Sequence, residues 1–456
     1  MSVFKSIKSL FFGTYTRMFI TSYLIFLFVG AGLLFLPWSI QEGIDLSFVD
    51  AIFVSASALS TTGLSTVTVS ETFSVFGQIM LLLIIQVGGI GLIMMIALFW
   101  LLMRKKIGFS QRTLIMTDQN QLTRQGIVKF IRDVLIVVFT IEIIAFLILG
   151  FYFYFSGYFN LSTSILQSVF LTVSFFTNAG FDISPSGSSL SMFENDYVVQ
   201  VTGMVLIFMG AVGFWLLVEL KAFIKAKLKK ETFKFSLFVK TLFVLHLTIW
   251  IVSAIVFYLI ERDGYLDSMS LGKMIYHTLF MSLTPRNAGF SLFDISELKE
   301  STHLVYIFLM FLGSSPNSAG GGIRTTTLFL ALLGVRAFSR GYDDVVFRER
   351  TIKKETVHKA LITVFMALVF VFSVVLLMSI LGSHEIKYYA FEVISAFGTT
   401  GLSLGVTSGL NVVSKILLII TMFVGRVGIL ATLLLFKPKT KKHSTISYPE
   451  TDFIVG

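Results

Sequence analysis

Ser60-Thr61-Thr62-Gly63-Leu64, Thr177-Asn178-Ala179-Gly180-Phe181, Arg286-Asn287-Ala288-Gly289-Phe290 and Gly398-Thr399-Thr400-Gly401-Leu402 recur along an otherwise apolar chain. Their central glycines are 117, 109 and 112 residues apart. One unit of roughly 110 residues is therefore used four times. A polar, glycine-bearing turn inside an apolar span is poorly suited to face lipid. Irregular backbone at membrane depth is tolerated only where it is buried in protein or lines a water-filled path. Four such turns in one chain point to a ring of backbone carbonyls, the device by which an ion sheds its water and crosses.

The composition agrees. Of 456 residues, 55% are hydrophobic and 14% charged, with a mean hydropathy of +0.86. Such a chain is a polytopic membrane protein rather than a soluble enzyme. Cysteine is absent, which excludes disulfides and thiolate metal sites. The six histidines, at 246, 277, 303, 358, 384 and 443, include no i, i+4 pair. The first apolar run, 18–37, is long enough to span a bilayer of ~30 Å and is expected to be a retained helix rather than a signal peptide.

The net charge of +10 raises the question of nucleic acid, and its distribution answers it. With each unit read as helix, re-entrant loop and helix, every junction between units lies on one side. The junctions and termini then hold 28 of the 36 Lys and Arg residues. The other side holds Arg262, Lys273, Arg286, Lys299, Lys387 and Lys415, while Arg324 and Arg426 fall inside the membrane. This is a positive-inside pattern. It puts both termini in the cytoplasm of a multi-pass plasma-membrane protein and leaves no nucleic-acid partner. Carboxylates such as Asp50, Asp182, Glu194, Asp294 and Glu297 crowd the outer side. They are either a cation-concentrating vestibule or ordinary solubilising loops.

The expected architecture is all-α, with eight transmembrane helices and four re-entrant loops in four pseudo-symmetric helix–pore-loop–helix units around a central pore. Unit 1 occupies 1–103, with helices at 18–37 and 75–103 around a short segment at 50–60. Unit 2 is 104–226 (134–155, 164–177, 197–223) and unit 3 is 227–340 (242–260, 271–284, 305–335). Unit 4 is 341–436 (357–381, 387–397, 412–436), followed by a tail at 437–456. Each short helix aims its negative C-terminal end inward, which favours a cation. The turns pair by type: units 1 and 4 carry Thr-Thr-Gly-Leu-Ser, units 2 and 3 Asn-Ala-Gly-Phe.

Within unit 3, Gly313-Ser314-Ser315-Pro316-Asn317-Ser318-Ala319-Gly320-Gly321-Gly322-Ile323-Arg324-Thr325-Thr326-Thr327 interrupts the second helix. Glycine and proline at this density break a helix in mid-membrane. The run lacks the preceding strand and the Gly-Lys-Ser/Thr ending of a phosphate-binding loop. Arg426, in Phe423-Val424-Gly425-Arg426-Val427-Gly428, lies within the last spanning helix. A mid-bilayer charge costs at least ~2.5–3.5 kcal/mol and so faces an interior. It either projects into the pore or pairs with Glu392 or Glu142. Gly88-Gly89-Ile90-Gly91 and Gly210-Ala211-Val212-Gly213 read as helix-packing sites. Gly401-Leu402-Ser403-Leu404-Gly405 matches G-x-S-x-G, but no strand precedes it.

Four non-identical helix–pore-loop–helix units, each with a single central glycine, resemble the Trk/Ktr/HKT superfamily of potassium transporters, and most closely the bacterial Ktr membrane (KtrB-type) subunit. The likeness covers nearly the whole chain. It implies a selectivity filter at Thr62, Gly63, Asn178, Ala179, Gly180, Asn287, Ala288, Gly289, Thr400 and Gly401, with potassium at the carbonyls of Gly63, Gly180, Gly289 and Gly401. It also implies that the 313–327 run is an intramembrane gating loop, with Arg324 where the family commonly has lysine, and that Arg426 projects into the pore. Serine in the first loop accompanies sodium preference in the plant branch, so Gly63 favours potassium. The chain itself needs no cofactor. The resemblance implies a homodimer, sodium stimulation, and a separate cytosolic ring of RCK-type, KtrA-like subunits that binds ATP or ADP. The basic cytoplasmic loops and the 437–442 tail are docking surfaces for that ring or simple topology determinants. A sodium or weakly selective cation uptake protein is the alternative.

Overall fold

The computed structural model describes residues 15–103, 108, 112–113, 126–185 and 189–434. The expected tail, 437–456, and most of the basic junction after residue 103 lie outside these. Among the described residues, four continuous helices are long and apolar enough to cross a membrane. They are α1 (Tyr15–Leu34), α5 (Ile127–Phe155), α9 (Leu237–Glu261) and α13 (Lys354–Leu381). Only 22–33% of their most apolar stretches is buried. The remainder, including Phe28, Phe151, Ile255 and Phe372, is exposed, as expected of surfaces whose solvent is lipid.

Each outer helix leads into a shorter, largely buried one: α2 (Phe48–Ser60), α6 (Leu161–Thr177), α10 (Leu271–Leu283) and α14 (Ile386–Gly398). Ser47, Asn160 and Ser270 cap the first three through side-chain oxygens that accept from Asp50 N, Thr163 N and Lys273 N. Three of the four end on a residue in the left-handed region, Thr61, Asn178 or Thr399, whose N–H turns back onto the last helical carbonyls. This terminates the helix cleanly and starts the returning strand. In unit 3, Pro285 follows the helix and the left-handed residue is Asn287.

The inner helices differ from expectation, because all four are broken. α3 (Val75–Ile90) turns by 97° into a segment that begins at Leu92, α4 (Leu92–Leu102). α7 (Tyr197–Val212) turns by 105° into α8 (Phe214–Leu228). In unit 3, α11 (Glu300–Phe311) and α12 (Thr325–Ser339) flank a loop that ends at Arg324, so residues 325–327, expected in the loop, instead open α12. In unit 4, α15 (Val412–Val427) gives way at Gly428 to α16 (Ile429–Leu434). The break glycines Gly91, Gly213 and Gly428 have φ of +103°, +102° and +91°, a conformation that a side chain would strain. The Gly-rich runs also pack, at their other end. A Cβ on Gly88, Gly210 or Gly425 would strike the carbonyl of Leu59, Phe176 or Phe397 respectively. Those carbonyls lie four residues before the central glycines Gly63, Gly180 and Gly401.

The units close on themselves. Each short helix packs against its own outer helix and against the inner helix of the preceding unit: α6 against α3, α10 against α7, α14 against α11, and α2 against α15. The last of these contacts joins unit 4 to unit 1. A two-stranded hairpin, β1 (Val345–Phe347) with β2 (Arg350–Ile352), links units 3 and 4.

Candidate functional site

Ring closure brings the four glycine turns face to face. The central glycines Gly63, Gly180, Gly289 and Gly401 have φ of +94°, +70°, +74° and +92°. A Cβ added to Gly63 would lie 2.6 Å from Ala179 O, and one on Gly180 would lie 3.2 Å from Ala288 O. On Gly289 it would collide with Thr400 O, and on Gly401 with Thr62 O. Every glycine thus abuts the carbonyl of the residue before the next unit's glycine, all the way round. Only glycine combines this backbone with this proximity. All ten expected turn residues, including Asn178, Asn287 and Ala288, belong to this assembly.

Hydroxyls from the short helices hold the turns. Ser57 Oγ accepts from Gly63 N at 3.0 Å, and Ser395 Oγ from Gly401 N at 3.1 Å. Ser174 Oγ accepts from Phe181 N at 3.1 Å and donates to Phe181 O at 2.6 Å. Thr284 Oγ1 donates to Phe290 O. Units 1 and 4 are built alike, as are units 2 and 3, matching the pairing of their turn sequences. The sequence reading missed these four hydroxyl residues. The signal was a serine six positions before the glycine in three of the units.

On one side of the ring lies an open cavity of about 490 Å3, lined by the four glycines, hydroxyl groups, Asp182 and Asp294. The Asp182 carboxylate accepts from Ser184 Oγ at 2.8 Å and Gln167 Nε2 at 3.2 Å. Both carboxylates line the cavity, Asp182 half-buried and Asp294 exposed. On the other side sits the 313–324 loop, which is mostly buried. Beyond it is a second cavity of about 390 Å3, lined by Pro316, Asn317, Arg324, Arg426, Gly91 and Lys359.

Backbone hydrogen bonds tie the loop to the inner helices of units 2 and 4. Ser315 N donates to Ala211 O at 3.1 Å, Ala319 N to Gly210 O at 3.2 Å, and Gly322 N to Gly425 O at 3.1 Å. Phe214 N donates to Asn317 O at 2.7 Å. Arg324 reaches back to Gly320 O and to Ser314 Oγ at 3.4 Å, and the Ser314 and Ser318 hydroxyls share a bond of 2.6 Å. The Arg426 guanidinium donates to Ala319 O in the loop and to Gly88 O and Gly89 O at the end of α3.

Residues 18–445 match the TrkH family, described as a cation transport protein. The chain belongs to the TrkH family. It is 39% identical over 436 residues to Ktr system potassium uptake protein D of Bacillus subtilis, covering 95% of each chain. It is 32% identical to Ktr system potassium uptake protein B of the same organism, over 94% of each. The crystal structure of the potassium transporter TrkH from Vibrio parahaemolyticus superposes with a TM-score of 0.73 at 19% identity, covering 93% of this chain and 85% of the other. That likeness carries the fold. The chain is therefore a multi-pass membrane protein of an ion-transporting family rather than an enzyme.

Three details of this TrkH-family chain depart from the sequence reading. Neither carboxylate offered as an Arg426 partner is one of the acceptors found for it. Gln86 Nε2 donates to both Glu142 oxygens at 3.0 and 2.9 Å, and Glu392 accepts from Ser403 and Thr407. The Ser403 hydroxyl of the G-x-S-x-G run is thereby engaged with a buried carboxylate. Arg286, expected on the outer face, is fully buried. It donates to His246 O at 3.2 Å and Thr325 Oγ1 at 3.3 Å, beside the start of α12. Its place in the turn motif, which dips into the protein, overrides the tally of outward charges. Finally, the expected set omits Thr61 and Thr399. They occupy the position held by Asn178 and Asn287 in the other units and share their left-handed backbone, with φ of +54° and +49°.

Proposed function

We propose that the chain takes up potassium through the glycine ring, which acts as the selectivity filter, with the ion at the carbonyls of Gly63, Gly180, Gly289 and Gly401. The observation that carries this is the unbroken succession of glycine against neighbouring carbonyl around four units. Such a ring replaces an ion's hydration shell with fixed dipoles. The acidic vestibule concentrates cations at its mouth. A short filter with few stacked carbonyl sites discriminates less sharply among alkali cations than a long one. Both termini and the unit junctions face the cytoplasm, so the membrane potential drives entry at ~2.3 kcal/mol per charge per 100 mV.

The 313–324 loop, with Arg324, is the gate. It lies between the ring and the inner cavity, where a hydrated cation leaving the ring must pass. Arg426 adds a positive barrier there and pins the loop through Ala319. The four units, 1–103, 104–226, 227–340 and 341–436, act as quarters of one pore. The relatives named Ktr system proteins support a further reading. The chain works as a homodimer with a cytosolic nucleotide-binding ring that moves the loop, and sodium stimulates the flow.

Growth rescue of a potassium-uptake-deficient bacterium at submillimolar potassium tests the proposal, with the chain expressed alone and with candidate ring subunits. Rescue that depends on the four glycines is the expected result. Failure in both settings, with membrane insertion verified, moves the assignment to sodium uptake or to a partner not among those supplied.

A further inference from the structure

We propose that the 313–324 loop is a strut of the glycine ring as well as a plug beneath it, so that moving the loop changes ion selection together with ion flow. This rests on the filter-and-gate reading above and adds a role for Thr61 and Thr399 as positioning residues.

Four residues end the descent of the chain into the ring: Thr61, Asn178, Asn287 and Thr399, all at positive φ. For β-branched threonine this backbone is strongly disfavoured and persists only where the surroundings enforce it. At Thr61 and Thr399 much of the enforcement comes from the loop. Thr61 Oγ1 lies 2.8 Å from Ala319 O and 2.7 Å from Ser60 O, and shares its proton between them. Thr399 Oγ1 accepts from Gly321 N at 2.7 Å. Both threonines are fully buried. Asn287 adds a third tie, its Nδ2 donating to Gly321 O at 3.3 Å and to Gly398 O. The fit is close, since a Cβ on Gly321 would stand 2.6 Å from Thr399 Cγ2.

The threonines act on the ring through the next residue. Thr62 O and Thr400 O are the carbonyls against which Gly401 and Gly289 close. Two of the ring's four contacts therefore come from residues directly after a threonine cap that the loop holds, and a third, Ala288 O against Gly180, follows the Asn287 tie. If the loop withdraws, Thr61 Oγ1 is left with Ser60 O alone and Thr399 Oγ1 with the Asn287 amide at 3.5 Å, and neither remaining bond ties the cap to the loop. The strained caps then relax, and the carbonyls of Thr62 and Thr400 turn with them. Coupling of this kind is reciprocal: an ion that fits the ring holds the loop shut more firmly than one that does not.

The test uses the full-length chain in liposomes, with potassium and sodium fluxes measured separately. Thr61→Val and Thr399→Val remove the hydroxyls at nearly constant shape, and Thr61→Ser and Thr399→Ser keep them. Losing one hydrogen bond predicts a roughly twofold to tenfold rise in flux without any partner, with a fall of similar size in the potassium/sodium ratio. The serine variants should behave as the parent. Deleting residues 315–321 should lower the ratio as well, and adding Thr61→Val to the deletion should lower it no further. Valine variants that raise flux at the parental ratio would overturn the proposal, as would a deletion that leaves the ratio intact. Should the valine proteins fail to insert, the deletion against the parent decides. Gly63→Ser and Gly401→Ala serve as the reference. If neither alters the ratio, the filter reading itself is wrong and the coupling falls with it.

Discussion

An alanine scan of the four ring glycines proposed as the filter should give a graded series rather than four equal losses. Alanine in the left-handed region costs about 1–2 kcal/mol, a penalty all four positions share. The space around each differs. At Gly180 the new methyl would meet Ala288 O at 3.2 Å, so that carbonyl need give by only a few tenths of an ångström. At Gly63 the approach is 2.6 Å. At Gly289 and Gly401 the methyl would overlap a ring carbonyl, and Gly401 also has one of the two larger φ values of the four, +92°. There the carbonyl must swing by about 1 Å, beyond hydrogen-bond-like reach of an ion, and a ligand is lost. Gly180→Ala should therefore keep uptake within about tenfold of the parent, equivalent to ~1.4 kcal/mol. Gly63→Ala should be intermediate, and Gly289→Ala and Gly401→Ala should fall by at least about a hundredfold. The assay is rubidium uptake into a potassium-uptake-deficient strain, normalised to the amount of inserted protein. A Gly401→Ala variant that transports like the parent while Gly180→Ala does not would refute the ring geometry.

Three further outcomes are expected. Gly63→Ser should raise sodium permeation relative to potassium, and unchanged discrimination in paired flux measurements would remove Gly63 from the filter. Arg426→Ala removes the charge proposed as the inner barrier together with the tie to Ala319, so single-channel or liposome flux should rise; unaltered flux would mean that the guanidinium only joins α15 to α3. Asp182→Asn removes one vestibule charge, worth on the order of 1 kcal/mol to an approaching cation. The apparent Km for potassium should rise about fivefold with little change in maximal rate, and a change confined to the maximal rate would contradict an entry role.

The fourfold architecture was legible because its signal is local. A glycine turn within an apolar span satisfies its backbone only inside protein or beside a water-filled path, and the register of four such turns fixes the repeat. The loop at 313–324 was legible for the same reason, since glycine and proline cannot persist in a helix at that density. What escaped was long-range. The Thr61–Ala319 bond joins residues 258 apart, and the Arg426–Gly88 bond joins residues 338 apart; no spacing rule connects them. Counting charges along the chain misplaces Arg286, because a re-entrant turn carries its side chains into the protein. The breaks at Gly91, Gly213 and Gly428 were hidden by their neighbours. The same short runs also contain packing glycines, and composition does not say which glycine bends the backbone.

Those breaks put the loop in a different light. Three inner helices break at a single glycine, and the fourth has its break drawn out to a loop. The loop rests on two of the bends, through Phe214 N beside Gly213 and through Gly425 shortly before Gly428. A conduit in series needs only one valve, and duplicating the valve in every quarter would add leaks without adding closure. The asymmetry of this otherwise repetitive molecule is therefore economical. In the proposed gate reading, one of four equivalent breaks is drawn out into the loop, and two of the others, beside Gly213 and before Gly428, are the seat to which it is bonded.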